Sequence, residues 1–548
     1  MEYDLVIRSG TIYDGSGGPP FVGDIAIQGD AIAVVAPAGL RRADGDRGRL
    51  EIDGRGLAVT PGFVNMMGKE TYLFVDGRAQ SDVRQGVTLE VFGEGVSLGP
   101  LNDDMRAEGQ RWRGLSRSQD SAAAPAVTPW TTLGEGLDYL AARGVSPNVA
   151  SFVGASTVRR HVLGEGNVAP TPAQLDQMRA LVRQAMEEGA MGLGSALIYV
   201  PGCFATTDEL AALAEVVGTY GGLYISHLRS EGERFMEAVD ELLTIARRAG
   251  CAAEIFHLKA TGQANWHKLD AVIQLVEAAQ AEGLQITADM YTYAASSTGL
   301  DATMPPWVRE GGHDAWVARL KDPPIRERLK HEMTTPTDAW ENRLLTVGPA
   351  HVRVVSFRNP ALRSLTGKSL AEIAATRGVT PAEAAMDLVV EDDSRVGTVY
   401  FAMSEANVRR AVQLPWVSFC SDSPALAAEG EFLDSGIHPR AYGTFARLLG
   451  RYVRDERLIP LAEAVRRLTA LPAATLKMER RGTLRPGNYA DVVVFDPATI
   501  QDLATFERPH QYATGVQHVF VNGTAVIKDG EHTGAKPGRV VRGPGCQR

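Results

Sequence analysis

Two histidines stand where their side chains could bind a metal ion. His227 ends the apolar run GLYISH, and His257 ends AAEIFH thirty residues later, with one amphipathic segment between them. Successive parallel strands of a barrel have their carboxyl ends at the same edge. Both imidazoles would meet there and could share a divalent metal, most plausibly zinc. A single histidine at a strand end is more often a hydrogen-bonded structural residue, but two in successive units favour a metal site.

Asp422 is a candidate proton acceptor. It follows the apolar run WVSFC, at the end of a late strand-like segment. A carboxylate there could take a proton from a water molecule that a metal activates. The competing interpretation is a helix N-cap, for which aspartate is also a favoured residue. Residue type and place alone leave both interpretations open.

The elements that must position these residues lie between about residues 60 and 480. Short apolar runs such as ASFVGA and AMGLGS alternate there with long amphipathic stretches such as PAQLDQMRALVRQAMEEG. Repeated β/α units of this kind predict parallel strands, and their number favours a distorted (β/α)8 TIM-like barrel over a short open sheet. The site then lies at the carboxyl ends of the strands.

Both ends of the chain differ from its middle. Short alternating runs such as DLVIRSG and ADVVVF lie among Gly, Pro and Asp turns. They predict a small β-sandwich domain built from residues 1–59 and 480–548, beside a barrel of residues 60–479. Residues 290–350, which are rich in Pro, Trp and charged residues, interrupt the alternation of strand-like and helical segments and predict an inserted cap or lid.

Composition excludes several classes of function. The chain has 548 residues, of which 44% are hydrophobic and 22% charged, and it lacks the roughly 18 unbroken apolar residues of a membrane span. A net charge of −10 disfavours nucleic-acid binding. The start, MEYDLVIRSG, lacks the features of a secretory signal, which predicts a cytoplasmic protein. We therefore expect a small-molecule substrate, while the sequence leaves a homo-oligomer open.

Several phrases together resemble the N-acyl-D-amino-acid deacylases, or D-aminoacylases, a branch of the amidohydrolase superfamily. They are GLYISHLRSEGE, EIFHLKATGQANWHK, TADMYTYAASST, HPRAYGTF and RGTLRPGNYADVVVFDP, and they occur in the family's order. The resemblance runs from about residue 5 to residue 543. It implies metal-dependent hydrolysis of a linear amide bond, above all in an N-acyl-D-amino acid, with Asp422 as general base and then general acid.

The resemblance also implies a set of site residues. His227 and His257 match the family's metal-binding histidines, and Glu94 in VFGEGVSLGP falls where the family usually has a cysteine in a GNCG-like loop, which is one residue shorter here. A carboxylate can replace a thiolate on zinc, so Glu94 is the expected third ligand, with a turn-stabilising glutamate as the alternative. The positions that hold the substrate's α-carboxylate and reacting carbonyl are matched by Lys259, Tyr199, Tyr291 and Arg440.

The sequence departs from the family pattern after the first barrel strand. Amidohydrolases usually carry an H-x-H pair in a phrase like PGFIDxHxH, and PGFVNMMGKE places Met67 and Lys69 at the two histidine positions. Neither is a good zinc ligand, which predicts one zinc or other divalent ion per chain. Lys69 is expected either to supply the missing positive charge to Glu94 or Asp422, or to extend toward solvent while Met67 fills the space.

Other functions stay open at this point. The same chemistry could hydrolyse another amide, such as a small peptide or a lactam, or an ester, or could deaminate its substrate. Loss of the H-x-H pair could instead mark a catalytically inactive binding protein. Retention of Asp422, both histidines and the Lys/Tyr/Arg set argues against an inactive protein.

Overall fold

A ring of short parallel strands forms the centre of the protein. The computed structural model describes residues 2–37, 47–113 and 128–546, with the side chains of residues 109–113 outside the description. The strands of the ring are Phe63–Asn65, Val87–Phe92, Asn148–Ser151 continuing as Val153–Gly154, Gly192–Ala196, Leu223–His227, Ala252–Ile255 and Ile286–Ala288. They pair in chain order, so their carboxyl ends share one edge.

Backbone hydrogen bonds close this ring through residues 416–420. Ser418 N–H donates to the Ala288 carbonyl (2.8 Å) on one side, and Met66 N–H donates to the Phe419 carbonyl (3.4 Å) on the other. The late apolar run WVSFC therefore lies between the last and the first strand of the ring. The strands form a closed barrel, with Asp422 at the same end as the two histidines.

Helices cover the outside of the barrel with their apolar faces. They are Leu133–Ala142, Ala155–Leu163, Pro172–Glu187, Thr207–Thr219, Phe235–Ala249, Lys268–Ala281, Glu405–Val412, Arg440–Arg447, Leu448–Asp455, Leu461–Leu468 and Ala470–Thr475, with Gln80–Val83 and Asp103–Arg113 in the early loops. The helix Pro172–Glu187 begins at a capping box of Thr171 and Gln174 and buries Met178 and Val182. In the described part of the chain, no helix is both long and apolar enough to span a bilayer.

Strands from both ends of the chain form a second domain. Within the described residues they make a nine-stranded sheet of Glu2–Ile12, Phe21–Gln28, Ala31–Pro37, Arg47–Asp53, Ala58–Pro61, Val492–Phe495, Val516–Val521, Thr524–Lys528 and Glu531–His532. The strands Ala58–Pro61 and Val492–Phe495 join the two ends by antiparallel pairing. Side chains of most strands meet in one cluster that includes Leu5, Ile25 and Val494. The sheet thus curls on itself, and the predicted barrel with a β-sandwich is confirmed as the fold class.

A separate layer interrupts the barrel before its closing segment. Its antiparallel sheet has the order Ser296–Gly299, Gly397–Tyr400, Val352–Ser356. Its helices are His313–Lys321, Pro323–Thr334, Arg343–Val347, Leu370–Arg377 and Pro381–Asp392. An apolar cluster of its own includes Trp316, Leu320 and Leu388. We call residues 296–402 the cap layer; the segment 290–350, expected to form a cap, overlaps it.

Candidate metal centre and active site

Glu94, His227 and His257 converge at one end of the barrel. His227 is the last residue of the strand Leu223–His227, and His257 follows the strand Ala252–Ile255. Glu94 Oε1 lies 3.0 Å from His227 Nδ1 and 3.4 Å from His257 Nε2. Ligand atoms of the three residues all lie within 4.8 Å of one another. The structure thus brings together the three residues predicted as metal ligands.

The three donors fit a zinc ion. Two imidazole nitrogens and a carboxylate oxygen are usual zinc ligands, and a site with three protein ligands keeps a position open for chemistry. Among the described residues, the two ring nitrogens that face Glu94 form their hydrogen bonds with that carboxylate. Burial raises the pKa of Glu94, but Lys69 and the two histidines outweigh it and hold that pKa well below its usual range. The carboxylate is therefore ionised, as a metal ligand must be.

The backbone at the site adopts unusual conformations. Gly93, with φ of 105°, precedes Glu94, and a Cβ on Gly93 would lie 2.5 Å from the Phe152 carbonyl oxygen. Only glycine allows the chain to approach so closely there, and this approach places Glu94 over the barrel end. His257 and Asp422 also have positive φ angles, 36° and 45°, although neither is glycine. Such strain costs about 1–3 kcal/mol per residue and is typical of functional sites.

A buried carboxylate behind the histidines was missed in the sequence. Glu231 Oε1 lies 3.1 Å from His257 Nδ1 and accepts a hydrogen bond from the Lys259 ammonium, while Oε2 lies 3.3 Å from Arg343 Nη2. Burial raises the pKa of Glu231, but Lys259 and the histidines hold it well below its usual range. The Lys259 ammonium also faces His257 Nδ1, at 2.7 Å. With zinc on Nε2 the ring proton would be on Nδ1, and of these two groups only Glu231 can accept it. The sequence feature that could have indicated this role is an acidic residue four positions after the candidate ligand His227.

Asp422 lies between two cations at the same end of the barrel. Its Oδ1 is 3.4 Å from Lys69 Nζ, and its Oδ2 is 2.7 Å from Arg440 Nη1. Lys69 Nζ is also 2.9 Å from Glu94 Oε2, so the ammonium bridges two carboxylates. A short parallel pairing of Lys69 with Pro424 holds this arrangement in register.

The two alternatives for the H-x-H replacement are each realised in part. Met67 is 1% exposed and lies in an apolar cluster with Phe256 and Cys420, so it fills space. Lys69 does not extend away from the site but points toward Glu94 and Asp422. Burial lowers the pKa of Lys69, but those carboxylates raise it above its usual range, so the side chain is a cation.

The four residues matched to substrate binding surround the same barrel end. Arg440 is 3% exposed, and its guanidinium lies 4.5 Å above the Tyr291 ring. Lys259 Nζ lies 5.8 Å from the centre of that ring. The Tyr199 ring is 5.4 Å from the ring of His227. The structure therefore gathers all four around the candidate metal ligands, and their individual roles stay predictions.

A closed barrel with histidine and carboxylate side chains at its strand ends, joined to a sheet from both chain termini, defines a metal-dependent hydrolase of the amidohydrolase type. The amidohydrolase family model matches residues 125–527, and the chain belongs to this family. D-aminoacylase of Alcaligenes xylosoxydans xylosoxydans is 32% identical to it over an alignment that covers 99% of this chain and 98% of that protein.

Solved structures agree with this assignment. N-acyl-D-glutamate deacylase from Bordetella bronchiseptica, complexed with zinc and a phosphonate mimic of the tetrahedral intermediate, matches with a TM-score of 0.79 and 30% identity over 99% of this chain and 100% of that chain. A D-aminoacylase, described for one-metal activation and second-metal attenuation of a binuclear centre, matches with a TM-score of 0.80 and 30% identity over 98% of this chain and all of that chain. The predicted family and a metal-dependent enzyme acting on C–N bonds other than peptide bonds are confirmed.

Proposed function

We propose that the protein hydrolyses N-acyl-D-amino acids to a carboxylic acid and a free D-amino acid. The observation that carries this proposal is the convergence of Glu94, His227 and His257 beside the Asp422–Arg440 pair. A zinc ion held by the three ligands supplies Lewis acidity and activates water. Relatives named for deacylation of N-acyl-D-amino acids, similar over nearly the whole chain, support the substrate class.

Asp422 moves the proton in the proposed reaction. Its Oδ1 is the freer oxygen, because the nearest cation, Lys69 Nζ, is 3.4 Å away, whereas Oδ2 is 2.7 Å from Arg440. Oδ1 accepts a proton from the attacking water as the new C–O bond forms, and it returns that proton to the amide nitrogen as the C–N bond breaks. The amine leaves with that proton, and the other water proton stays with the acyl product.

Arg440 is the cation best placed for the substrate's α-carboxylate. Its buried Nε–H has no hydrogen-bond partner among the described residues, and an arginine can grip a carboxylate through two N–H groups. The guanidinium lies over the Tyr291 ring, and the Lys259 ammonium adds positive charge 5.8 Å from the centre of the same ring. Tyr199 lies beside the ring of His227, and its hydroxyl donates to Thr298 Oγ1 at 2.9 Å. In the proposed reaction it turns this proton toward the developing oxyanion.

A cavity of about 600 Å³ opens beside Tyr199, between the barrel and the cap layer. Phe204, Met304, Trp307 and Trp340 give its wall an apolar and aromatic character. Cavities of this volume hold drug-sized groups. We propose that the cavity takes a bulky apolar substituent of the amide, carried either on Cα or on the acyl group.

The charged residues of the cavity wall support an apolar occupant. Each arginine, aspartate and glutamate on the described wall is already ion-paired: Arg229 with Glu241, Asp301 with Arg309, Arg343 with Glu341, and Glu332 with Arg328. An acidic substituent would therefore have to break an existing pair to gain a partner. Sequence identity does not separate the substrates, since the solved D-aminoacylase and N-acyl-D-glutamate deacylase are each 30% identical.

The test is amine release from matched N-acetyl-D- and N-acetyl-L-amino acids by zinc-loaded protein, with and without chelator. We expect D-selective, chelator-sensitive release. Zinc-loaded protein that releases no amine from any substrate would contradict the proposal; an added peptide, a lactam and an ester then separate a different hydrolase from an inactive binding protein.

The same panel tests the cavity. D-Phe and D-Leu derivatives are compared with D-Ala, D-Asp and D-Glu derivatives, and an N-phenylacetyl series on D-Ala separates the acyl group from the side chain. A preference for acidic or small substrates in both series would refute the apolar assignment while leaving deacylation intact.

A further inference from the structure

We propose that the Lys69 ammonium takes the place of a second metal ion, so that this chain binds one catalytic metal ion and is insensitive to excess metal. The ammonium lies 2.9 Å from Glu94 Oε2 and 3.4 Å from Asp422 Oδ1. Glu94 turns its other oxygen, Oε1, toward the two histidines. Lys69 therefore holds the position between two carboxylates in which a bridged second cation would bind.

The residues around Lys69 do not fit a second zinc ion. Zinc sites use at least three protein ligands as a rule, and an ammonium has no lone pair to offer. The Met67 side chain is buried among apolar neighbours. Among the described residues, the group of three or more potential ligands at this end of the barrel consists of Glu94, His227 and His257, without Asp422. Two carboxylate oxygens are thus all that a second ion would find.

Lys69 and Arg440 pair with the two carboxylates of the site. Glu94 and Asp422 contribute two negative charges, while Lys69 and Arg440 contribute two positive charges in direct contact with them. A divalent ion in place of the ammonium would add one more positive charge beside the catalytic zinc ion, which already brings two positive charges to Glu94. Removing the ammonium without replacement would leave the two carboxylates facing each other, which is also unfavourable.

The backbone fixes the direction of the lysine. A Cβ on Gly68 would lie 2.2 Å from Glu90 Oε2, so the chain passes directly against the barrel interior immediately before Lys69. Parallel pairing of Lys69 with Pro424 continues this path. The backbone on both sides of Lys69 is therefore fixed, and it directs the lysine side chain toward the barrel end.

Metal content tests this inference without any substrate. Protein equilibrated with a large excess of zinc and then desalted is measured by elemental analysis. We expect one zinc per chain in the wild type and two in the Met67→His/Lys69→His double variant, which restores the pair of ligands. Met67→His alone is the matched control, since it adds a ligand but keeps the ammonium, and it should stay at one. Two zinc ions in the wild type, or one in the folded double variant, would overturn the inference.

The charge role is tested by Lys69→Met and Lys69→Arg, each loaded with one zinc and checked for folding by thermal unfolding. Loss of a preorganised charge typically lowers kcat by about 10²-fold, so the methionine variant should lose far more activity than the arginine variant. Equal, mild losses would refute the role of the charge.

Excess zinc provides a further comparison, which rests on the proposed function. The wild-type rate should stay constant as zinc is added, because no second ion binds beside Lys69. A wild-type rate that falls as zinc is added would contradict the insensitivity to excess metal. If no form hydrolyses the substrates while the zinc contents differ as expected, the proposed function fails and the single-metal inference stands.

Discussion

Replacement of Glu231 by glutamine should weaken metal binding although Glu231 is not a predicted ligand. Its side chain is 2% exposed, and Oε1 lies 3.1 Å from His257 Nδ1. Glutamine keeps the size of the side chain but removes the negative charge that favours a proton on Nδ1. Nε2 of His257 is then less available to the metal, because the ring proton can move to that nitrogen.

The expected magnitude follows from what Glu231 contacts. Loss of a carboxylate that orients a histidine ligand typically lowers metal affinity by about 10- to 100-fold, or about 1.4–2.7 kcal/mol. The substitution also leaves the Lys259 ammonium without its carboxylate partner, whereas Arg343 keeps Glu341 at 3.2 Å. An unpaired buried charge costs about 3–5 kcal/mol, so thermal stability should fall as well.

Zinc affinity is measured by competition with a chromophoric chelator, and stability by thermal unfolding of the zinc-free protein. Glu341→Gln is the matched control: Glu341 is 5% exposed and also pairs with Arg343, but its contacts among the described residues do not include His257. We expect weaker zinc binding in Glu231→Gln and near-wild-type zinc binding in Glu341→Gln. Wild-type affinity in Glu231→Gln, or the same loss in both variants, would refute the role of Glu231.

Three further predictions concern the proton carrier, the metal and a buried acid pair. Asp422→Asn should lower kcat by about 10²- to 10⁴-fold at unchanged zinc content, and a near-wild-type rate of amine release would remove Asp422 from the mechanism. Chelation should lower the thermal unfolding midpoint and added zinc should restore it, by about 4 kcal/mol at a thousandfold excess over Kd; calorimetry showing equal midpoints would argue against a metal bound to the folded state. Burial raises the pKa of Asp82 from 3.8 to about 6 beside Glu90. The folded state therefore holds a proton that the unfolded state releases between pH 4 and 6. The stability that this group contributes below about pH 4 is lost as the pH rises to 6. Asp82→Asn should therefore raise the unfolding midpoint near pH 7 and flatten its change between pH 4 and 6; an unchanged pH profile would contradict this assignment.

Local patterns in the sequence were sufficient to predict the residues at strand ends. His227 and His257 were recognised because each closes an apolar run one β/α unit from the other, and the barrel places both at the same end. Asn-Gly is a typical hairpin turn, and the antiparallel strands Val516–Val521 and Thr524–Lys528 pair around Asn522 and Gly523. In each case the informative pattern lies within about one β/α unit of the chain.

The residues that were missed depend on contacts between distant segments. Arg343 reaches Glu231 from the cap layer, and no local pattern indicates that pairing. Asp289 follows the strand Ile286–Ala288 and accepts a hydrogen bond from the backbone N–H of His257 at 2.6 Å. Like the two histidines, it is a polar residue at the end of an apolar run, so the same pattern could have identified it. The direction of Lys69 could not be read from the sequence, because it depends on pairing across the barrel closure.

The pairing of Ala58–Pro61 with Val492–Phe495 delays completion of the terminal sheet until most of the chain has left the ribosome. About 430 residues separate the two strands, and at about 5–20 residues per second their synthesis takes roughly 20–90 s. Throughout that interval Ala58–Pro61 has one unpaired edge. Open edges of this kind pair readily with other chains. Pairing with other chains is therefore most favoured while the amino-terminal half waits for residues 492–495.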